Sequence, residues 1–174
     1  NTHKNIMNPG LGVGGYCLTK DPKFLDYSSK NILKTNNQFP LIKKTISINS
    51  NMVNTSFKFI KDKIKFFKNK KILQVGISYK EDVDDIRFSP SVELAQKLIN
   101  KGVILDIYDP FFEKENNLPY SFVRNMNFSK YDIVIFCVGH KKIKRLNLKN
   151  IPKKPIYFDL NNIFKKINYK VLYR

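Results

Sequence analysis

The chain has no tryptophan, two histidines, two cysteines and seven glycines in 174 residues. Two cysteines cannot build the framework of a small disulfide-stapled secreted domain. Cys137 sits in the run Ile133-Val134-Ile135-Phe136-Cys137-Val138, reads as a buried strand thiol, and fits a reducing cytoplasmic setting. The two histidines, His3 and His140, have no partner pattern and read as incidental. Asp82, Asp84 and Asp85 cluster, but they lack the glycine and terminal glutamate of a calcium hand, so no metal is assigned. No apolar run approaches the ~20 residues a membrane helix needs. No signal peptide is visible.

Acidic residues are also scarce: 14 against 32 lysines and arginines, for a formal charge of +18. Such a balance raises nucleic-acid binding as a class. The cations are almost all lysine, scattered, with mild clusters at 61–71 and 141–145; arginine occurs only at Arg87, Arg124, Arg145 and Arg174. Base readout favours arginine with bidentate geometry, and no nucleic-acid motif is present. That class is set aside.

The scarce glycines are concentrated, four of the seven falling within Gly10 to Gly15. Glycine loses the most conformational freedom on folding, so such a concentration marks positive φ angles or close approach of the backbone to another group. Cys17 follows at once, then Thr19-Lys20-Asp21-Pro22, which open a helix. A thiol at a helix N-terminus beside a lysine is where thiolate is favoured. The stretch reads as a binding loop that delivers a nucleophile; the alternative is an inert buried thiol on a glycine turn. Gly10, Gly12 and Gly15 also satisfy G-x-G-x-x-G formally. That fingerprint requires a preceding strand and a carboxylate about 20 residues on. Residues 1–9 carry no strand pattern, and the chain reads Lys34-Thr35-Asn36-Asn37 where the acid is needed, so the dinucleotide reading of this loop is rejected.

Hydrophobic periodicity divides the chain at residues 70 and 71. A first helix runs from Leu18 to about Lys34, with Pro22 in its first turn. A long helix starts at Pro40 and continues to about Lys68, its apolar residues recurring at three- and four-residue steps; a helix of that length serves as a connector or an oligomer face. From residue 71 the pattern alternates. Strands are expected at 72–75, 103–108, 133–138, 156–158 and 170–173, with a helix at 91–100 opened by Ser89-Pro90 and closed by Gly102 as its C′ glycine. Such alternation implies an α/β fold: a Rossmann-like parallel sheet domain preceded by a helical segment with a long connecting helix. Ligands in these sheets bind beyond the carboxyl ends of the strands, where Gly76 to Lys80 and Asp109-Pro110 fall.

The segment from Asn8 to Leu25 resembles the active-site segment of the nucleotide-sugar dehydrogenases, the UDP-glucose/GDP-mannose dehydrogenase family, whose motif is roughly G-x-G-G-x-C-x-x-K-D. A second block, Gly76-Ile77-Ser78-Tyr79-Lys80 followed by Asp84-Asp85-Ile86-Arg87-Phe88-Ser89-Pro90, is similar to the family's G-x-x-(F/Y)-K … D-D-x-R-x-S-P stretch. A third, Tyr108-Asp109-Pro110, resembles the strand end that follows there. The resemblance implies oxidation of a sugar C6 alcohol to a carboxylate with NAD as cofactor, through a cysteine thiohemiacetal and thioester. On that basis Cys17 is the nucleophile. Asp21, one turn on, positions or activates water, and Lys20 stabilises the thiolate or meets the cofactor. Taken alone, Asp21 and Lys20 equally fit a first-turn acid and a solvated lysine.

The resemblance further implies that Asn8, Pro9, Gly10, Leu11, Gly12, Val13 and Gly14 bring backbone N–H groups to the substrate, and that Tyr79 and Lys80 hold the UDP-sugar. Arg87 resembles the family's arginine for the NAD pyrophosphate; its alternative is a salt bridge to Asp84 or Asp85. Residues 1–70 would carry the cysteine loop and the dimerisation segment, with a homodimer through the 40–68 helix; residues 71–174 would bind the UDP-sugar. The positive surplus would help attract a dianionic nucleotide sugar, in the service of polysaccharide precursors. No nucleic-acid or membrane partner is implied. The family carries an NAD-binding domain ahead of the cysteine loop, so this chain, beginning with Asn1, is expected to be the C-terminal part of a longer protein and inactive alone. One departure stands out: many relatives have a substrate-binding arginine after the last F-D strand, where this chain reads Phe158-Asp159-Leu160-Asn161-Asn162. The Asn8-Pro9-Gly10 and Asp21-Pro22 variants lean toward UDP-N-acetylhexosamine branches. The alternative function is a non-catalytic nucleotide-binding or oligomerisation module of the same fold.

Overall fold

Strands rich in Ile, Val, Leu and Phe, separated by helices or long loops, have the connections that parallel pairing needs. The computed structural model describes residues 10–35, 39–112 and 119–164, and the backbone of Leu172 and Tyr173. Its six strands are β1 (Lys71–Val75), β2 (Ile104–Tyr108), β3 (Ser121–Phe122), β4 (Ile133–Phe136), β5 (Ile156–Asp159) and β6 (Leu172–Tyr173). They form one sheet in the order β3-β2-β1-β4-β5-β6, every pairing parallel. The chain therefore builds outward from β1 in one direction, returns to β4, and builds outward in the other. Between β1 and β4 lies the topological switch point, where open α/β sheets bind ligands.

Four helices accompany the sheet: α1 (Tyr16–Asn31), α2 (Pro40–Lys63), α3 (Pro90–Ile99) and α4 (Lys141–Lys144). Alternate strand residues feed two cores, as the two-residue period of a strand requires. Ile72, Ile107, Ile133 and Ile135 pack with Val53 and Ile60 of α2 and with Leu94 and Leu98 of α3. Leu73, Val75, Val134 and Phe136 pack on the other face with Ile143 of α4, Phe128 and Tyr157. Cys137 is fully buried, as a core thiol should be, and burial pushes its thiol well above the ordinary range.

Several element boundaries differ from the sequence expectation. Helix α1 starts at Tyr16, with Gly15 as N-cap at φ 80°, and the Thr19 hydroxyl donates back to Gly15 O at 2.6 Å. Pro22 is consequently an interior residue, not a first-turn one. Helix α2 stops at Lys63, short of 68, because Ile64 turns extended (φ −115°, ψ 104°). That turn drops Ile64 and Phe67 into the core. Gly102, at φ 74°, lies two residues beyond the Asn100 C-cap of α3 instead of at C′. Its carbonyl accepts the Asn69 amide at 2.8 Å. Strand β3 and helix α4 were not expected at all. Of the expected terminal strand, Leu172–Tyr173 pairs with β5 and the rest lies outside the described residues. Among the described residues no helix is long and apolar enough to cross a membrane.

Candidate active site

The glycine loop is an extended segment clamped by two side-chain amides. Asn49 of α2 meets Val13 like a strand partner: Val13 N–H donates to Asn49 Oδ1, and Asn49 Nδ2 donates to Val13 O, both at 2.8 Å. Asn161, just past β5, accepts Leu11 N–H through Oδ1 at 2.6 Å and donates through Nδ2 to Cys137 O. The loop can lie this close only because of its glycines. A Cβ on Gly15 would stand 2.7 Å from the Tyr79 ring, and one on Gly14 would stand 2.5 Å from Phe88 O. Removing the Asn161 amide in Asn161→Ala orphans the Leu11 N–H and Cys137 O at once. Urea unfolding should register a loss of about 2 kcal/mol, with an unchanged m-value.

The clamped loop roofs a cavity of ≈ 680 Å³ at the switch point. Gly10, Leu11, Gly12, Val13 and Gly14 form one wall, and Tyr79 and Lys80 another. The residues just past β4 (Cys137, Val138, Gly139) and the start of α3 (Pro90, Ser91) close the floor with Asn161. The substrate residues expected from the sequence therefore come together, apart from Asn8 and Pro9, which lie outside the described residues. At Gly76, the first residue past β1, φ is +97° and a Cβ would meet Val138 N at 2.6 Å. Helix α3 begins at this floor with Ser89 as N-cap, its Oγ accepting the Ser91 amide at 3.1 Å and donating to Ile77 O at 2.7 Å. A larger and more apolar cavity of ≈ 920 Å³ lies between α1, α2 and residues 86–93, and Lys20 lines it.

Cys17 and Asp21 share one face of α1, and both are exposed. They line neither cavity. The alternative of an inert buried thiol is thus not what the structure has at Cys17. The residues around Cys17 are organised from the β1–α3 connection. Phe88 packs edge-on against Tyr16 at 4.8 Å, and the Arg87 guanidinium lies over the same ring at 4.9 Å. Lys20 approaches Tyr16 at 5.7 Å and Phe24 at 5.1 Å, and its ammonium is 3.8 Å from Asp21. Arg87, expected from the resemblance to meet the cofactor, here makes the salt bridge that was its alternative: Nη2 is 2.7 Å from Asp85 Oδ2, and Nε is 3.0 Å from both oxygens. Hydrogen bonds from Arg87 hold the Asp85 carboxyl below the ordinary range.

His140, read from the sequence as incidental, is not. It is fully buried, its Nε2 lies 3.0 Å from Asp109 Oδ2, and its Nδ1 accepts the Asp82 amide at 2.9 Å. Asp109, at the end of β2, collects four further donors: the Ile77 and Ser78 amides, the Ser78 hydroxyl and the Phe111 amide. Burial works to raise the Asp109 carboxyl, but the His140 bond and the Ile77 and Phe111 amides outweigh it, so it ionises below the ordinary 3.8. A depressed folded value means that the stabilisation is complete above the unfolded value and is lost as pH falls through the folded one. Stability should therefore drop below about pH 4 as Asp109 takes up its proton, with a slope of at most ~1.4 kcal/mol per pH unit. Urea titrations from pH 5 to 2 should show a shallower acid limb in Asp109→Asn.

Sequence reasoning missed Asn49, Asn161 and His140 as site residues. Only Asp109 carried a signal, as the acid at a strand's carboxyl end.

Comparison with known proteins adds the following. Residues 73–166 match the UDP-binding domain of the UDP-glucose/GDP-mannose dehydrogenase family, and residues 1–51 match its central domain. The chain is 32% identical over 169 residues to the UDP-N-acetyl-D-mannosamine dehydrogenase of Methanococcus aeolicus, covering 91% of this chain and 36% of that protein. It is 35% identical over 127 residues to the GDP-mannose 6-dehydrogenase of Pseudomonas putida, covering 73% of this chain and 26% of that one. Among solved structures, the UDP-N-acetyl-mannosamine dehydrogenase of Staphylococcus aureus aligns with TM-score 0.72 at 30% identity, covering 99% of this chain and 40% of that one. The GDP-mannose dehydrogenase of Pseudomonas aeruginosa, solved as a ternary complex, aligns with TM-score 0.79 at 25% identity, covering 97% and 41%. The chain spans roughly a third of the length of the first of these relatives and about a quarter of the second.

Proposed function

The chain belongs to the UDP-glucose/GDP-mannose dehydrogenase family, and from that premise we propose that it is the cysteine-bearing and UDP-sugar-binding part of an NAD-dependent nucleotide-sugar 6-dehydrogenase. The observation that carries the proposal is the switch-point cavity, roofed by the glycine loop whose far end starts the helix bearing Cys17. Residues 1–70 carry the nucleophile and the oligomerisation segment, and residues 71–174 take the UDP-sugar. The backbone N–H groups of Gly12 and Gly14, flanking those that Asn161 and Asn49 hold, suit phosphate oxygens, the N-terminal dipole of α3 favours an anion, and Lys80, exposed at the rim, supplies a point charge. A homodimer through α2 accounts for Leu41 and Ile48, exposed at 78% and 53% on a helix whose other half is core. The compartment proposed is the cytoplasm.

The residues present fit NAD at one place. Lys20 and Arg87, both exposed and both against Tyr16, are two cations beside Cys17 that suit a pyrophosphate. NAD, when bound, would supply the hydride acceptor twice in turn, one NAD⁺ being reduced as the alcohol becomes the aldehyde and a second as the Cys17 thiohemiacetal becomes the thioester. The Cys17 thiolate adds to the C6 aldehyde carbon, forming a C–S bond, and the carbonyl oxygen takes a proton. Once the thioester has formed, water attacks its carbonyl carbon, the C–S bond breaks with its electron pair returning to sulfur, and the carboxylate leaves. Asp21, on the same exposed face, orients that water and takes its proton.

The test uses the full polypeptide that the gene encodes, supplied with UDP-N-acetyl-D-mannosamine, UDP-glucose or GDP-mannose and NAD. Two reduced nicotinamides per uronate are expected from the UDP-sugars. No turnover with any of them overturns the proposal. The position of Cys17 outside both cavities favours a second reading, a non-catalytic nucleotide-binding or oligomerisation module, which the same assay separates.

A further inference from the structure

His140 takes no part in the chemistry proposed above, yet it is fully buried at the N-cap of α4. Its partners fix its tautomer. The Asp82 amide donates to Nδ1 at 2.9 Å, so Nδ1 must be an unprotonated acceptor. The proton therefore sits on Nε2 and is donated to Asp109 Oδ2 at 3.0 Å. The same Asp109 oxygen accepts the Ile77 amide at 2.8 Å, the Ser78 amide at 3.2 Å and the Ser78 hydroxyl at 3.1 Å. One imidazole thus joins both ends of the loop that follows β1: residues 77 and 78 through Asp109, and residue 82 directly. Tyr79 and Lys80 lie between those anchors, and both line the switch-point cavity. Tyr79 also carries the glycine loop, since Gly15 sits against its ring.

We infer that His140 is the positioning residue that sets Tyr79 and Lys80 for the nucleotide sugar, because it ties residues 77 and 78, through Asp109, to residue 82. The groups around the ring are held in their own contacts. Asp82 Oδ1 is 3.9 Å from Nδ1 and already accepts the Lys141 amide at 3.0 Å, while the Lys141 ammonium lies 3.5 Å from Asp82 Oδ2. Asp109 is committed to its five donors. Lys144 is paired with Glu81 at 2.6 Å, and Lys142 lies over the Tyr108 ring at 5.5 Å. The Phe111 ring flanks the imidazole at 5.3 Å.

The affinity part of this inference rests on the nucleotide-sugar reading; the hold on the loop does not. The experiment measures both on the chain itself. Amide exchange by NMR reads Ile77, Ser78 and Asp82, and calorimetry reads binding of UDP-N-acetyl-D-mannosamine. His140→Gln preserves an acceptor toward Asp82 and a donor toward Asp109; His140→Leu preserves neither. The leucine variant should bind about tenfold more weakly and exchange those three amides faster, and the glutamine variant should restore both. Equal exchange in wild type and the leucine variant overturns the positioning role. So does a glutamine variant that binds and exchanges like the leucine variant. If wild type gives no heat with the nucleotide sugar, the cavity reading fails, and the exchange rates of the variants still decide the role of His140. If the leucine variant does not fold, the glutamine variant decides: wild-type exchange at the three amides supports the role, and faster exchange there overturns it.

Discussion

Cys17→Ser, in the full polypeptide that the gene encodes, should lower uronate formation by roughly 10³-fold or more while UDP-sugar affinity stays within about twofold. The argument is chemical. Removal of the first hydride from an alcohol needs no covalent bond to the enzyme, but an aldehyde carbon yields a second hydride only after a nucleophile has added to it. A thiolate adds and later leaves readily near neutral pH, whereas a serine hydroxyl would need a dedicated base, and no histidine is placed there among the described residues: His140 lies buried against Asp109. Affinity should be spared because Cys17 lines neither cavity. The readout is uronate by mass spectrometry beside nicotinamide reduction, with accumulation of aldehyde in the variant. Full uronate formation by the serine variant would remove Cys17 from the chemistry.

Gly76→Ala should be strongly destabilising. The glycine is the first residue past β1, at φ +97°, and an added Cβ would lie 2.5 Å from Val138 Cβ and 2.6 Å from Val138 N. A strained backbone costs about 1–3 kcal/mol, and overpacking costs a similar amount. The sum is about 2–6 kcal/mol, or roughly 10 °C in Tm for a chain of this length. Gly102→Ala provides the control. It also carries positive φ (+74°), but the nearest atom to its added Cβ would be 3.7 Å away, so it should show the backbone cost alone, about 1 kcal/mol. The difference between the two variants isolates the closeness of β1 and β4 at the crevice. Equal melting shifts would mean that Val138 yields, and that the crevice is not held shut at this point.

The strands were legible because buried β-branched runs leave a plain pattern. Ile72 to Val75 and Ile133 to Phe136 fall within expected spans. Helix α3 was legible from Ser89-Pro90, a cap and first-turn pair whose chemistry is local. What failed depends on distant partners. The end of α2 depends on Ile64 and Phe67 leaving the helix to reach the core of a sheet not yet formed in the sequence. His140 looked idle because Asp109 is 31 residues away and Asp82 is 58 away. Asn161 looked like the loss of an arginine, when its amide is occupied holding Leu11, 150 residues upstream. The strand order shares this property, since outward growth from β1 and the return to β4 are set by crossovers and not by any strand's own residues.

The central claim is that the crevice between β1 and β4 receives a nucleotide sugar under the glycine loop. Titration of the chain with UDP-N-acetyl-D-mannosamine, followed by calorimetry and by amide NMR, tests it most directly. The account predicts one ligand per chain, with the shifted amides gathered at Leu11 to Gly14, Ser78 to Lys80, Ser91 and Asn161. Absence of heat, or shifts gathered instead on the α1–α2 face around Leu41 and Ile46, would contradict it.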